Sequence, residues 1–217
     1  MIKNSGKVIV FSMLTILLLG SVWMSAQMES EENDENAKLI EAGRMLAELS
    51  DTAGGQGCLN CHGTFGVGDL KIAPAYRGRN ADDIRNALET VDQMDFLNVS
   101  EDEIIALGAY LEWLGGFVPA KSELRADGFS PAEVTVSVGA EIQVIVDNRE
   151  RRTPHFVSSE DLGIEPTEIR ARTAADFLWT APDEPGTFIV LCDDCDEGAA
   201  ALTIVVEVPE EDSESGE

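Results

Sequence analysis

The sequence predicts a multidomain chain: an N-terminal hydrophobic helix, then an all-α domain, then an all-β Greek-key sandwich. Three observations carry this reading. An unbroken apolar stretch runs from Val8 to Ala26. Apolar residues then recur at helical spacing as far as Gly116, with no strand pattern among them. From Ser122 the period switches to alternation, in short runs separated by turn residues. With 217 residues and 44% hydrophobic content the chain can bury two small cores.

Lys3 and Lys7 precede the apolar stretch, which passes through Leu14, Ile16, Leu17, Leu18, Leu19, Val22 and Trp23. Residues 1–27 read as a signal peptide or a membrane anchor. Cleavage after Ala26 would put Met24 where a small residue is preferred, which favours an uncleaved anchor. Both readings export everything after Gln27 to the periplasm or the outer face of the cytoplasmic membrane. That compartment permits disulfides. Residues 28–36, rich in acids from Glu29 to Asn36, read as a solvated linker.

The all-α domain is expected over 37–116. Its first helix carries Leu39, Ala42, Gly43, Leu46 and Leu49 on one face and ends at Gly54-Gly55. Asn80 is a candidate N-cap for a short helix bearing Ile84, Ala87 and Leu88. Ser100 and Glu103 form an S-x-x-E capping box. They open a helix striped by Ile104, Leu107, Leu111 and Leu114 and stopped by Gly115-Gly116. Residues 117–121, with Pro119, read as a linker.

The all-β domain is expected over 122–208. Val134, Val136 and Val138 alternate with polar residues, Gly139 turns the chain, and Ile142, Val144 and Val146 alternate again. Phe177–Thr180, Phe188–Leu191 and Leu202–Val208 supply further strands. Turn residues fall at Asp147-Asn148, at Asp183–Gly186 and at Asp196–Gly198. Residues 209–217 read as an acidic, disordered tail.

Forty-one Asp and Glu face fifteen Lys and Arg, a formal net charge of -26. A nucleic-acid partner is excluded, since phosphate would be repelled. The acid is spread along the whole chain, which reads as a device for solubility rather than a docking patch.

Cys58-Leu59-Asn60-Cys61-His62 is the signature for covalent attachment of a c-type haem. Two thiols at this spacing reach the two vinyl groups of one porphyrin, and the adjacent imidazole can face the iron. The weaker readings are a chance pair, a structural disulfide or half of a zinc site. Zinc is disfavoured because the other cysteines, Cys192 and Cys195, lie far beyond the roughly 15–20 residues that separate the pairs of such a site. Met94, the only methionine after His62, stands in a loop with few other apolar residues and is the candidate second axial ligand. The competing reading is a methionine filling a core gap.

Here the sequence resembles class I cytochrome c, over roughly residues 37–116. The resemblance is carried by Gly57-Cys58-Leu59-Asn60-Cys61-His62-Gly63, by Ala73-Pro74, by Met94 and by Ser100–Ile104 leading to Tyr110-Leu111. It implies that the first and last helices cross near Gly43 and Tyr110. It implies that the carbonyl of Pro74 accepts a hydrogen bond from His62, setting the ring's orientation. It also implies one haem c with His62 and Met94 on the iron.

The second half resembles a cupredoxin, over roughly residues 122–208. Phe129-Ser130-Pro131, Val134–Ile142, His155-Phe156, Thr180-Ala181-Pro182 and Gly186–Cys192 carry the pattern. The resemblance implies a copper site with His155 and Cys192 among its ligands. The chain departs from it: a mononuclear site has a histidine and a methionine after the cysteine, and neither follows Cys192. The dinuclear site of oxidase subunit II has three residues between its cysteines, where this chain has only Asp193 and Asp194. Three readings stand for Cys192 and Cys195. They are a disulfide in an exported loop, a copper site with His155 completed by Asp193, Asp194 or Glu197, and a redox-active dithiol.

No substrate-converting constellation is visible, and a peroxidase would need a distal acid–base group that the sequence lacks. The expected role is electron carriage, not enzymatic turnover. The chain would pass electrons through one haem to redox partners such as a membrane oxidase or reductase of a respiratory chain, with the cupredoxin-like domain as docking module. The alternative is a two-centre haem c/copper relay.

Overall fold

A computed structural model describes residues 33–48, 57–195 and 201–209. The expected signal peptide or anchor, the acidic tail, Glu197 and the Gly54-Gly55 stop lie outside the described residues. By compactness the chain forms two units: one contains 33–48 and Asn80–Tyr110, the other Gln56–Arg79 and the chain from Leu111 onward.

In the first unit, helix α1 covers 33–48. Its buried positions are Gly43 and Ala47, while Leu39 of the expected stripe is 39% exposed. Gly43 faces the closing helix: a Cβ there would lie 2.0 Å from the Ala106 carbonyl oxygen and 2.8 Å from Tyr110 Cβ. Helix α3 (Ala81–Thr90) has the expected N-cap, and Asp83 completes a reciprocal capping box with Asn80. Helix α4 (Glu101–Gly115) starts at Ser100 and Glu103 and buries Ile104, Leu107, Leu111 and Leu114 as the stripe predicts.

The second unit opens with a single helical turn, α2 (Leu59–His62), and a 3-10 turn at Thr64–Gly66. Nine strands follow: β1 (Val118–Arg125), β2 (Gly128–Ser130), β3 (Glu133–Ser137), β4 (Glu141–Asn148), β5 (His155–Ser159), β6 (Ile164–Ile169), β7 (Ala174–Thr180), β8 (Gly186–Cys192) and β9 (Ala201–Glu207). They build two sheets, ordered β2-β1-β4-β7 and β3-β9-β8-β5-β6. The β1–β4 and β3–β9 pairs are parallel, and the others are antiparallel. The core lies between the sheets and gathers Leu124, Ile142, Val144, Val146, Val157, Leu202 and Ile204. Strand β1 begins at Val118, within the stretch read as a linker, because Val118–Ser122 pair in register with Ile142–Val146. Strands β5 and β6 carry no clear alternation in sequence; pairing to β8 and to each other defines them.

The expected fold class needs correction. No all-α cytochrome c domain is apparent: helices are few among the described residues, and the β-sandwich dominates the chain. The C-x-x-C-H segment groups with strands rather than with helices α1 and α3. The physical reason lies on β4. Its Ile142, Val144 and Val146 face the core as expected, but Gln143, Ile145 and Asp147 on the other face are buried too. Residues 57–79 are hydrogen-bonded to that second face, as described below. The expected N-terminal hydrophobic helix falls on residues 1–27, outside the described residues. No helix among the described residues is long and apolar enough to cross a membrane, and residues 1–32 lie outside them.

Candidate functional sites

Two clusters of thiol and imidazole groups stand in the second unit. The first is built on α2. Cys58 has helical backbone angles, Leu59–His62 complete one turn, and Gly63 ends it at φ +79°. His62 Nδ1 donates to the Pro74 carbonyl at 2.7 Å, and Tyr76 meets the His62 ring edge-on at 4.8 Å. Backbone bonds from Gly68 to His62, from Ala73 to Cys61 and from Tyr76 to Gly66 fold the following loop back over the turn. Cys58 and Cys61 are free, half-buried thiols, and burial pushes the Cys58 thiol above its ordinary pKa.

The segment is anchored to the sandwich by charge-assisted hydrogen bonds. Arg77 donates to the carbonyl of Phe65 (3.1 Å), Gln143 Oε1 (2.7 Å) and the carbonyls of Leu114 (2.7 Å) and Phe117 (3.1 Å). Gln143 passes its amide on to Asp176 at 2.7 Å. Asp147 accepts from Thr64 Oγ1 at 3.1 Å and pairs with Lys121 and Arg149 at 3.0 Å each. Asp69 pairs with Lys121 and lies 3.6 Å from Arg149. Arg77, Gln143 and Lys121 did not stand out in the sequence, and Asp147 read there only as a turn residue. Polar residues at alternate strand positions look like a solvated face until the segment that covers them is in place.

The C-x-x-C-H group fits a c-type haem by the chemistry of its donors. The thiols are unjoined, one imidazole nitrogen is already committed to a carbonyl, and the other is left as the ligand atom. Ile72, 70% exposed, and Leu70, 37% exposed, belong to the loop that folds back on Cys61. Apolar side chains left open there suit a flat apolar ligand. Met94, half-buried in a 3-10 turn at Asp92–Met94, belongs to the first unit.

The second cluster joins the ends of β5 and β8. Asn148 positions it: its side chain donates to the carbonyls of Thr153 (3.0 Å) and Ile169 (2.9 Å) and accepts from Glu150 N, shaping the turn that delivers His155. Cys192 and Cys195 are joined as a disulfide. His155 Nδ1 stands 3.9 Å from Cys192 Sγ, 3.8 Å from Cys195 Sγ and 3.4 Å from Asp194 Oδ2. His155 is 3% exposed, and its Nε2 is buried with no hydrogen-bond partner among the described residues. Two of the acids read as candidate ligands also serve the loop. Asp194 Oδ1 accepts from Phe156 N at 2.9 Å, and Asp193 Oδ1 accepts from Ser158 Oγ at 2.8 Å.

The structure thus brings His155, Cys192 and Cys195 together as the sequence suggests, with donor atoms of His155, Cys192, Asp194 and Cys195 all within 4.8 Å of one another. In the disulfide form the cluster does not fit copper. Neither sulfur is a thiolate, the chain's only other histidine is His62, and no methionine follows Met94.

Residues 119–206 match the family model of the cupredoxin-like domain. No curated protein matches the chain. Among solved structures, the chain is similar to a reduced amicyanin variant at 24% identity, covering 42% of this chain and 83% of that one with a TM-score of 0.31. A copper-binding protein in its apo form aligns at 16% identity over 42% of this chain and 89% of that chain, with a TM-score of 0.34. A haem–copper terminal oxidase aligns at 19% identity over 41% of this chain and 63% of that chain, with a TM-score of 0.35. Scores of this size carry no argument. By that match the strand-rich part of the chain is similar to a cupredoxin-like domain, and its two-sheet topology agrees. The match does not reach residues 37–116 and lends nothing to a cytochrome c domain there.

Proposed function

We propose that the chain is an exported electron-transfer protein that carries one covalent haem c on Cys58, Cys61 and His62, with the cupredoxin-like domain as its docking module. The observation that carries this reading is the 2.7 Å bond from His62 Nδ1 to Pro74 beside two unjoined thiols. When bound, the haem supplies one-electron chemistry. The Cys58 and Cys61 sulfurs would hold it covalently, and the Pro74 carbonyl, by accepting from Nδ1, would leave Nε2 as the ligand atom. Tyr76, edge-on to the imidazole, restricts its rotation. In this reading Met94 would be the iron's second protein ligand, on the strength of the sequence.

Several features support the docking role. Arg77 and Asp147 tie the C-x-x-C-H segment to the sandwich, so a partner held by the sandwich is also held near the haem's attachment point. Arg151, Arg152, Arg170 and Arg172 are exposed on two neighbouring loops of a chain that is otherwise strongly acidic. They suit carboxylates of a redox partner, such as a respiratory oxidase or reductase. Residues 1–27 direct export in this reading, as signal peptide or anchor.

The test is a pyridine haemochrome measurement on full-length protein made in a host that matures c-type haem. The expected result is one haem per chain that survives acid–acetone extraction, lost in Cys58→Ala/Cys61→Ala. Met94→Ala should keep the haem but open the iron, with fast carbon monoxide binding after reduction. Extraction of all haem from the wild type would sink the reading.

A further inference from the structure

We propose that the β4–β5 loop (149–154) and the β6–β7 loop (170–173) form a binding site for a small divalent oxyanion of the phosphate class. Arg149, Arg151 and Arg172 line a cavity of about 320 Å³, with Asp147 the one acid in its wall among the described residues. That volume lies at the small end of ligand sites and admits an anion with its nearest waters.

Charge matching selects the ligand. Asp147 is already neutralised, since it pairs with Lys121 and Arg149 at 3.0 Å each. Arg149 also engages Glu123 at 3.1 Å and stands 3.6 Å from Asp69. Arg151 and Arg172, both exposed, have no ion-pair partner among the described residues. Glu150 is the only acid of the two loops, and its Oε1 is engaged elsewhere, accepting from Ala126 N at 3.1 Å. The lining thus sets three cations against one acid, 3 − 1, for a net charge of +2. In a chain with 41 acids and a net charge of -26, two arginines facing a cavity without a carboxylate leave room for an outside anion. Guanidinium forks meet the oxygens of such an anion in pairs, so two of them suit a divalent tetrahedral ion better than a single carboxylate.

The frame is built before the ligand arrives. Asn148 is fully buried and braces both loops. Its side chain donates to the carbonyls of Thr153 and Ile169, its own carbonyl accepts from Arg172 N at 3.0 Å, and its N–H donates to the Thr173 carbonyl at 2.9 Å. Arg172 stands in the left-handed region at φ +61°. Glycine or asparagine would take that conformation at lower cost, so the guanidinium is what the position gains from an arginine. A braced frame lowers the ordering cost of binding. Neither haem nor a protein partner is needed for this site, which goes beyond the carrier function.

The test titrates inorganic phosphate into the full chain by isothermal calorimetry at pH 8, with sodium chloride holding the ionic strength at about 0.15 M. The wild type should bind one phosphate per chain. Sulfate, also divalent, should compete for the site, and acetate should not. Arg151→Ala and Arg172→Asn should each weaken binding at least about tenfold, and the two together should abolish it. Asparagine suits the left-handed backbone, so the loss in Arg172→Asn belongs to the side chain and not to a refolded loop. Arg79→Ala removes one exposed positive charge that does not line the cavity and should leave the affinity unchanged. No saturable binding to the wild type overturns the proposal, as does affinity retained in the double variant. Equal weakening in Arg79→Ala would reduce the effect to general charge and overturn it too. Acetate binding as tightly as phosphate also overturns it, and returns the cavity to a carboxylate of a protein partner. No readout depends on a haem signal, so a failed haem assignment leaves each of them intact.

Discussion

Ser100 and Glu103 close the amino end of α4 unequally. Glu103 Oε2 accepts from both Ser100 N and Ser100 Oγ at 2.7 Å, whereas Glu103 N reaches Ser100 Oγ only at 3.4 Å. The carboxylate is the stronger half of the box. The Ser100 backbone N–H, and then its hydroxyl, hold the Glu103 carboxyl below its ordinary value of 4.5. A carboxyl with a depressed folded pKa contributes stability that is present above the unfolded value and is lost as pH falls through the folded one. Glu103→Gln should therefore lower the urea midpoint at pH 7, with the deficit shrinking towards pH 3. A deficit that stays constant across that range would remove the carboxylate from the account. This box was legible in the sequence because it is a local pattern, set by residues three apart. The reciprocal bond from Asp83 to Asn80 obeys the same rule and could have been read the same way.

Strand β4 shows what an alternating pattern conveys and what it omits. Ile142, Val144 and Val146 predict a strand with one buried face, and that face is buried. Gln143 alternates with them and predicts a wet face, and Asp147-Asn148 reads as a turn, yet the strand continues to Asn148 and Gln143 and Asp147 are buried under the segment that carries Cys58, Cys61 and His62. Arg77 holds that segment through four acceptors, all of which would lose a charged donor in Arg77→Ala. The expected cost is roughly 2–3 kcal/mol, from buried acceptors left without a partner. The check is urea unfolding combined with hydrogen exchange. The amides of Gly68 and Tyr76, which bond within the segment, should lose protection before the β8–β9 ladder does. Arg77→Lys should recover only part of the loss, since an ammonium cannot present the two-nitrogen fork that serves these acceptors. If Arg77→Ala is as stable as the wild type, the segment is held by something other than this network.

Across the whole molecule, the balance of 41 acids against 15 bases sets a self-repulsion that no single ion pair offsets. Several bridges around Asp69 and Asp147 lie at low exposure and are screened little by salt, whereas most of the excess acid is at the surface. Raising salt from about 50 mM to about 1 M cuts the Debye length to about 3 Å. The thermal midpoint should therefore rise with salt, and calorimetry checks it. A falling midpoint would mean that attractive surface pairs outweigh the repulsion.

By itself the sequence determined what depends on near neighbours along the chain: the capped helices, the alternating strands and the spacing of the two C-x-x-C pairs. The resemblance to a cupredoxin grouped His155 with Cys192, and the fold brings the two within 3.9 Å. Tertiary structure alone decided which surfaces meet. It joined Cys192 to Cys195 and spent Asp193 and Asp194 on backbone and hydroxyl donors. It also grouped residues 57–79 with strands instead of closing an all-α domain. The reason is physical: periodicity reports whether a side chain prefers water, but a polar residue such as Gln143 is equally satisfied by water or by an arginine brought from far along the chain. Only the folded chain distinguishes the two.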